Sequence, residues 1–272
     1  MKTPLNPSIF LALLLLFAAC GNSEQKDQPE EQQTSKPLQR PDFNPDSAYS
    51  YIQAQVDFGP RVPGTPAQLQ CAAYMEDKLR KHCDTVYRQE TKVNAGNGKS
   101  LPCINLIGVI NPEARTRILL LAHWDSRPWS DMDPVDTLKA VSAADDGASG
   151  VGVLLELARQ VSSQPLPPDI GVDILLTDVE DYGKTEWGDK SYALGTQYWA
   201  YNPHIPGYSA SFGILLDMVG AKGARFPLEG VSSQLAPAVQ QLVWKAAATA
   251  GFSSYFIYQQ GASITDDHVF IN

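Results

Sequence analysis

The stretch Val172-Asp-Ile-Leu-Leu-Thr-Asp178-Val-Glu180-Asp181 decides how the chain is read. Ile174, Leu175 and Leu176 make a short apolar run of strand length, as in a strand buried on both faces of an α/β sheet. The run then turns acidic, with Asp178, Glu180 and Asp181 at the strand's carboxyl end. In open α/β sheets the crevice beyond those carboxyl ends is where ligands bind. Two adjacent carboxylates there offer one metal ligand and one general base. Taken alone, the pair reads as a solvated acidic turn. That reading changes because other strand ends in the chain do the same thing.

Arg117-Ile-Leu-Leu-Leu-Ala-His123-Trp-Asp125 is an apolar strand ending in His-x-Asp. Strand alternation places His123 and Asp125 on one face, where the carboxylate can orient the imidazole. Ile214-Leu-Leu-Asp217 is a third apolar strand that ends in a carboxylate. Ala143-Ala-Asp145-Asp146-Gly-Ala-Ser-Gly150 precedes an amphipathic helix bearing Val153, Leu154, Leu157 and Ala158. An Asp there reads either as a helix cap or as part of a site whose small neighbours allow close approach. Imidazole and carboxylate ligands together fit Zn²⁺ best among common metals. Neither a Gly-x-Ser-x-Gly elbow nor a His-Glu-x-x-His helix occurs, which argues against a serine hydrolase and a helix-borne zincin. Gly98-Lys-Ser100 lacks the upstream glycine of a phosphate loop, since Val93 stands there, and reads as a hairpin turn.

Around these ends, strands and helices alternate. Strands are predicted at 85–93, 103–110, 117–122, 172–177, 212–217 and 254–258. Helices are predicted at 46–56, from Thr65-Pro66 onward, and at 148–162, 191–201 and 235–250. The pattern predicts an α/β fold, a mostly parallel, twisted mixed sheet with helices on both faces.

The 272 residues carry a net charge of −9 without a basic cluster, which argues against nucleic-acid binding. Lys2 followed by the apolar run Ile9–Ala19 reads as a signal peptide over 1–19, too short to span a bilayer. It ends in Leu16-Phe-Ala-Ala-Cys20, which resembles a bacterial lipoprotein signal with Cys20 lipidated. Residues 20–45 are polar and read as a disordered tether, leaving 46–272 as the catalytic domain. The expected location is therefore the bacterial envelope, periplasmic or anchored to the outer membrane, with the chain a monomer. Cys71 and Cys83 fall about 18 Å apart on one helix, too far to bridge, whereas a Cys83–Cys103 pair stays open.

His123-x-Asp125, Asp146-Gly-Ala-Ser-Gly150, Glu180-Asp181 and Leu216-Asp217 resemble the zinc aminopeptidase superfamily. Leu194-Gly-Thr-Gln-Tyr-Trp199-Ala, Leu215-Leu-Asp-Met-Val-Gly-Ala221 with Phe226-Pro227, and Ile264-Thr-Asp266-Asp-His268 resemble its glutaminyl-peptide cyclotransferase branch. The resemblance runs from about Tyr49 to the last residue. It implies Zn²⁺ held by Asp146 and Asp181, Glu180 as general acid/base, Asp217 and Asp266 in its acidic network, and Trp187 lining the substrate pocket. The implied substrates are peptides with N-terminal glutamine, cyclised to pyroglutamate with loss of ammonia. Animal relatives have Glu where Asp181 stands, place the pocket tryptophan one residue nearer, and bear a disulfide where Ala122 and Gly152 lie. The branch takes its third zinc ligand from a histidine well beyond the Asp-Asp-His element. None of His82, His123, His204 and His268 matches it, so a C-terminally incomplete domain with its last elements missing is expected. Two alternatives stand beside the cyclase: a two-zinc metalloaminopeptidase using His123 and Asp217 for a second ion, and an envelope lipoprotein inactivated by the truncation.

Overall fold

A computed structural model describes residues 42–164 and 166–271. The signal peptide, Cys20 and most of the tether lie outside the described residues.

Two helices lead in. α1 (Pro45–Asp57) is capped by Asn44, whose side chain accepts from the Ser47 N–H. α2 (Pro66–His82) has Thr65 as its cap and Pro66 in its first turn, as its sequence predicts. β1 (Thr85–Asn94) and β2 (Ser100–Ile110) follow as an antiparallel hairpin. Its turn contains Gly98 at φ 81°, and the Ala95 N–H donates to Lys99 O. β3 (Thr116–His123), α3 (Ala148–Ser163), β4 (Ile170–Thr177), α4 (Leu194–Tyr201) and β5 (Phe212–Leu215) complete the main layer.

The sheet runs β1-β2-β4-β3-β5 and is mixed. Its parallel share is limited to β4-β3-β5, because the hairpin enters antiparallel and β2 also lies antiparallel to β4. Both faces are covered, which explains the unbroken apolar runs. Leu106, Leu120, Ala122, Ile174 and Leu176 point to the α2–α3 side, where Met75, Leu79, Leu154 and Leu155 meet them. Ile107, Leu119, Leu121 and Leu175 point the other way, toward Trp199 of α4. Each fully buried Leu or Ile side chain contributes roughly 1.5–3 kcal/mol. Asp173 is a buried carboxylate within the sheet, held by Arg117 Nε and Nη2 at 2.6 Å each and by the Tyr208 hydroxyl at 2.8 Å.

The C-terminal part differs from the sequence-based expectation. The strand predicted at 254–258 forms as β7 (Phe256–Gln260), but it pairs with β6 (Phe226–Leu228) in a separate two-stranded sheet. The helix expected at 235–250 forms as α6 (Pro237–Thr249), with Pro237 in its first turn, and a short helix that the sequence did not signal, α5 (Gly230–Leu235), precedes it. The helix expected from residue 191 starts at Leu194, after Ala193 at φ 53°. Cys71, Cys83 and Cys103 are free, so the Cys83–Cys103 bridge does not form; the two residues sit at opposite ends of β2's span. Among the described residues no helix is long and apolar enough to cross a membrane.

Candidate active site

His123 ends β3 directly beside Thr177, which ends β4, so the two strand-end loops leave the sheet together. The imidazole is buried, with Nδ1 3.3 Å from Asp125 Oδ1. Its Nε2 lies 3.0 Å from Asp146 Oδ1 and 3.3 Å from Asp217 Oδ1, in neither case aligned for a hydrogen bond. One ligand atom from each of His123, Asp146 and Asp217 lies within 4.8 Å of the others. Ligands about 2.0–2.1 Å from a tetrahedral centre stand about 3.3 Å apart. A buried nitrogen facing two carboxylate oxygens at that spacing, with no donor geometry to any of them, fits a cation placed between them.

Asp146 reaches the cluster because it does not cap the helix. Gly147 at φ 99° precedes α3 with no side-chain cap. A Cβ at Gly147 would lie 2.9 Å from Asp125 O and 3.1 Å from His123 Cε1, so only glycine fits there. The neighbouring Asp145 has a different task, its Oδ1 accepting from the Gly220 N–H at 2.7 Å and so tying down the loop after Asp217.

Asp125 joins the histidine to the acidic turn. Its Oδ1 accepts from the Glu180 N–H at 3.0 Å and its Oδ2 from the Asp181 N–H at 3.1 Å. The turn passes through Val179 at φ 56°, a conformation that costs a β-branched residue about 1–3 kcal/mol. The strain is held on several sides. The Val179 N–H donates to Asp178 Oδ1 at 2.9 Å, and Val179 O and Glu180 O accept from the Leu194 and Ala193 N–H groups. Asp178 is itself buried, its other oxygen taking the Gln68 amide at 2.6 Å and the Ile104 N–H at 2.8 Å.

The electrostatics follow from this crowding. Burial alone would push His123 down, but Asp125, Asp146, Asp217 and Glu180 outweigh it and hold the imidazole well above its ordinary value. The His123 contact holds the Asp146 carboxyl down. Burial, then the charges of Asp267, Asp181 and Asp266, raise Glu180 well above the usual carboxylate range, against the pull of His123. Glu180 Oε2 stands 4.0 Å from His123 Nδ1. Burial and the Asp217 charge raise Asp266 as well.

Not every sequence-predicted residue converges. Asp181 turns its carboxylate to Arg127 Nη1 at 2.8 Å and is not part of the three-ligand cluster. Burial and the Asp146 charge still push it up to about 7. Asp266 and Asp217 share a cavity of about 520 Å³ with Trp244 and His268. Trp187 packs edge-on to Trp129, with ring centroids 5.9 Å apart, in a cluster that includes Tyr182. That cluster lies against the β1–β2 turn, where a Cβ at Gly96 would sit 2.5 Å from Trp187 Cβ. His82 contacts Ser162, and His204 stacks on Trp199.

Sequence reasoning missed three residues. Arg127 holds Asp181; Asp267 is buried and bound by the Thr177 hydroxyl at 2.9 Å; Arg61 is fully buried behind the cluster, where burial lowers its pKa. Asp267 adjoins a residue that the sequence did single out. Arg61 gave no signal, because an arginine in a Pro/Gly loop looks like surface.

The structure is similar to a Zn-dependent exopeptidase from Parabacteroides distasonis, at 48% identity and TM-score 0.82, covering 85% of this chain and 80% of that one. It is also similar to glutaminyl cyclase from Bacteroides thetaiotaomicron, at 46% identity and TM-score 0.83, covering 86% and 82%. Glutaminyl-peptide cyclotransferase of Bos taurus is 24% identical over 187 residues, 61% of this chain, which spans 50% of that relative's length. Residues 105–272 match peptidase family M28, and the chain belongs to that family.

Proposed function

We propose that this chain is a zinc-dependent glutaminyl-peptide cyclotransferase. The observation that carries the reading is the position of Glu180 beside the cradle of His123, Asp146 and Asp217, its Oε2 4.0 Å from His123 Nδ1 and its carboxyl pushed up by burial and acidic neighbours. The likeness to bacterial glutaminyl cyclases supports the choice of reaction. One nitrogen and two carboxylate oxygens with a side left open are a donor set that suits catalytic zinc. Bound there, zinc supplies a Lewis acid for the side-chain carbonyl of an N-terminal glutamine.

The chain's own residues do the rest. The substrate's α-amine attacks its own γ-carboxamide carbon; a C–N bond to the α-nitrogen forms, the bond to the amide nitrogen breaks, and ammonia leaves. Glu180 takes the proton from the amine and returns it to the departing nitrogen, which a carboxyl with a raised pKa can do near neutral pH. Asp125 fixes the backbone of Glu180, while the charges of Asp267, Asp181 and Asp266 add to burial in favouring the protonated carboxyl once it has taken the proton. Trp187 is placed at the wall of the substrate pocket in this reading. Arg127 holds Asp181 by Oδ1, so in this reading Asp181 would offer a metal its other carboxylate oxygen.

Glutaminyl peptides and leucine anilides, offered side by side with zinc, test the assignment. Ammonia release from the former with little cleavage of the latter is expected. Glu180→Gln should keep its zinc and lose about 10²-fold or more in activity. A variant that loses zinc and activity together would make Glu180 a ligand instead. The second reading is a two-zinc aminopeptidase, favoured by the meeting of His123 and Asp217 at one point. Efficient release of leucine with two zincs per chain would select it.

Cys20 is proposed as the lipid attachment site that tethers the domain to the envelope. Cys20→Ala should shift the protein from the membrane to the soluble fraction; unchanged membrane association would remove this part of the reading.

A further inference from the structure

Arg61 lies in the Gly59–Gly64 loop between α1 and α2, and its side chain is fully buried. Its partners are backbone carbonyls: Nε donates to Trp124 O at 3.2 Å, Nη1 to Ser142 O at 2.5 Å, and Nη2 to Ala143 O at 2.7 Å. A second tie runs through the backbone, with the Arg61 N–H donating to Ser126 Oγ at 3.0 Å and the Ser126 N–H to Arg61 O at 3.3 Å.

Trp124 sits between His123 and Asp125. Ser142 and Ala143 lead into Asp145 and Asp146, with Ala143 at φ 55°. One planar cation therefore spans the two segments that deliver His123 and Asp146. A buried charge is costly unless its donors are all used, and a fold needing only an apolar plug would place a methionine or leucine there. The guanidinium's rigid array can hold several carbonyls at fixed mutual positions, whereas a lysine ammonium on a flexible stem cannot.

We propose that Arg61 is a positioning residue of the metal site, setting the separation of His123 Nε2 and Asp146 Oδ1 by clamping the backbone behind each. The inference rests on the zinc reading given above.

The test uses the full chain stripped of metal, with Co²⁺ and Zn²⁺ as probes and chelator competition for affinity. Arg61→Lys should fold, as judged by circular dichroism and a cooperative thermal transition. It should bind both metals at least about tenfold more weakly and show altered Co²⁺ absorption bands, because the ligand geometry is no longer fixed. Ser126→Ala, which removes only the Oγ bond of the second tie, should move the affinity the same way by less. A folded Arg61→Lys with unchanged affinity and bands overturns the proposal. So does an Arg61→Lys that cannot fold, which would make Arg61 a determinant of the fold. If the unaltered chain binds neither metal, it is the zinc reading that fails, and the proposal with it.

Discussion

Asp125 shows how much of the site one side chain can organise. Its two oxygens take the Glu180 and Asp181 N–H groups while it faces the ring of His123. The His-x-Asp spacing made the contact to His123 legible in sequence, because residues two apart on a strand share a face. The contacts to the acidic turn were not legible, since they cross from one strand end to another. Asp125→Asn would present an amide N–H₂ to one of those backbone donors and leave it unpaired in a buried place. A loss of about 1–3 kcal/mol is expected for that donor. In a denaturant titration the midpoint should fall accordingly, and turnover should drop by more than the stability loss explains, because Glu180 is no longer held. A variant with wild-type stability and activity would show that the two backbone bonds do not position the turn.

At the scale of elements, the strand ends, the hairpin and the start of α3 could be read from apolar runs and turn residues. What escaped was the short helix α5 and the separate pairing of β6 with β7, because strand pairing depends on distant partners rather than on local pattern. Gly150 marks where α3, β3 and β5 meet. A Cβ there would lie 2.0 Å from Leu216 O and 2.9 Å from Ala122 Cβ. Leu216 is the residue before Asp217, so the clash acts directly on a member of the cradle. Gly150→Ala should destabilise by about 1–3 kcal/mol through overpacking and should weaken Zn²⁺ binding by displacing Asp217 from His123. Gly223→Ala is the control, at φ 74° with nothing within 4 Å of the added Cβ. It should cost about 1 kcal/mol through backbone strain alone. If Gly223→Ala weakens zinc binding as much as Gly150→Ala, the close approach at Leu216 is not what holds Asp217 in place.

Across the whole molecule, the site concentrates acid in a buried volume, and this makes stability depend on pH in an unusual direction. Asp267 is fully buried, and burial followed by the Asp266 charge pushes its carboxyl up to about 7. An unfolded chain releases the same proton near pH ~3.9. Between those values the folded state binds more protons than the unfolded one, so stability falls as pH rises. The contribution is fully present below the unfolded pKa and is lost by the time the pH passes about 7. A shift of this size corresponds to at most about 4 kcal/mol. Asp181, pushed up to about 7 as well, acts in the same direction. The metal-stripped protein should therefore melt at a lower temperature at pH 8 than at pH 5. Asp267→Asn keeps an oxygen for the Thr177 hydroxyl but cannot ionise, so it should flatten that fall. Zinc should flatten it too, since a cation in the cradle favours ionised carboxylates. Melting curves across this range, with chelator and then with zinc, read both effects. An Asp267→Asn protein whose melting temperature falls as steeply as the unaltered chain's would place the excess proton on another carboxyl.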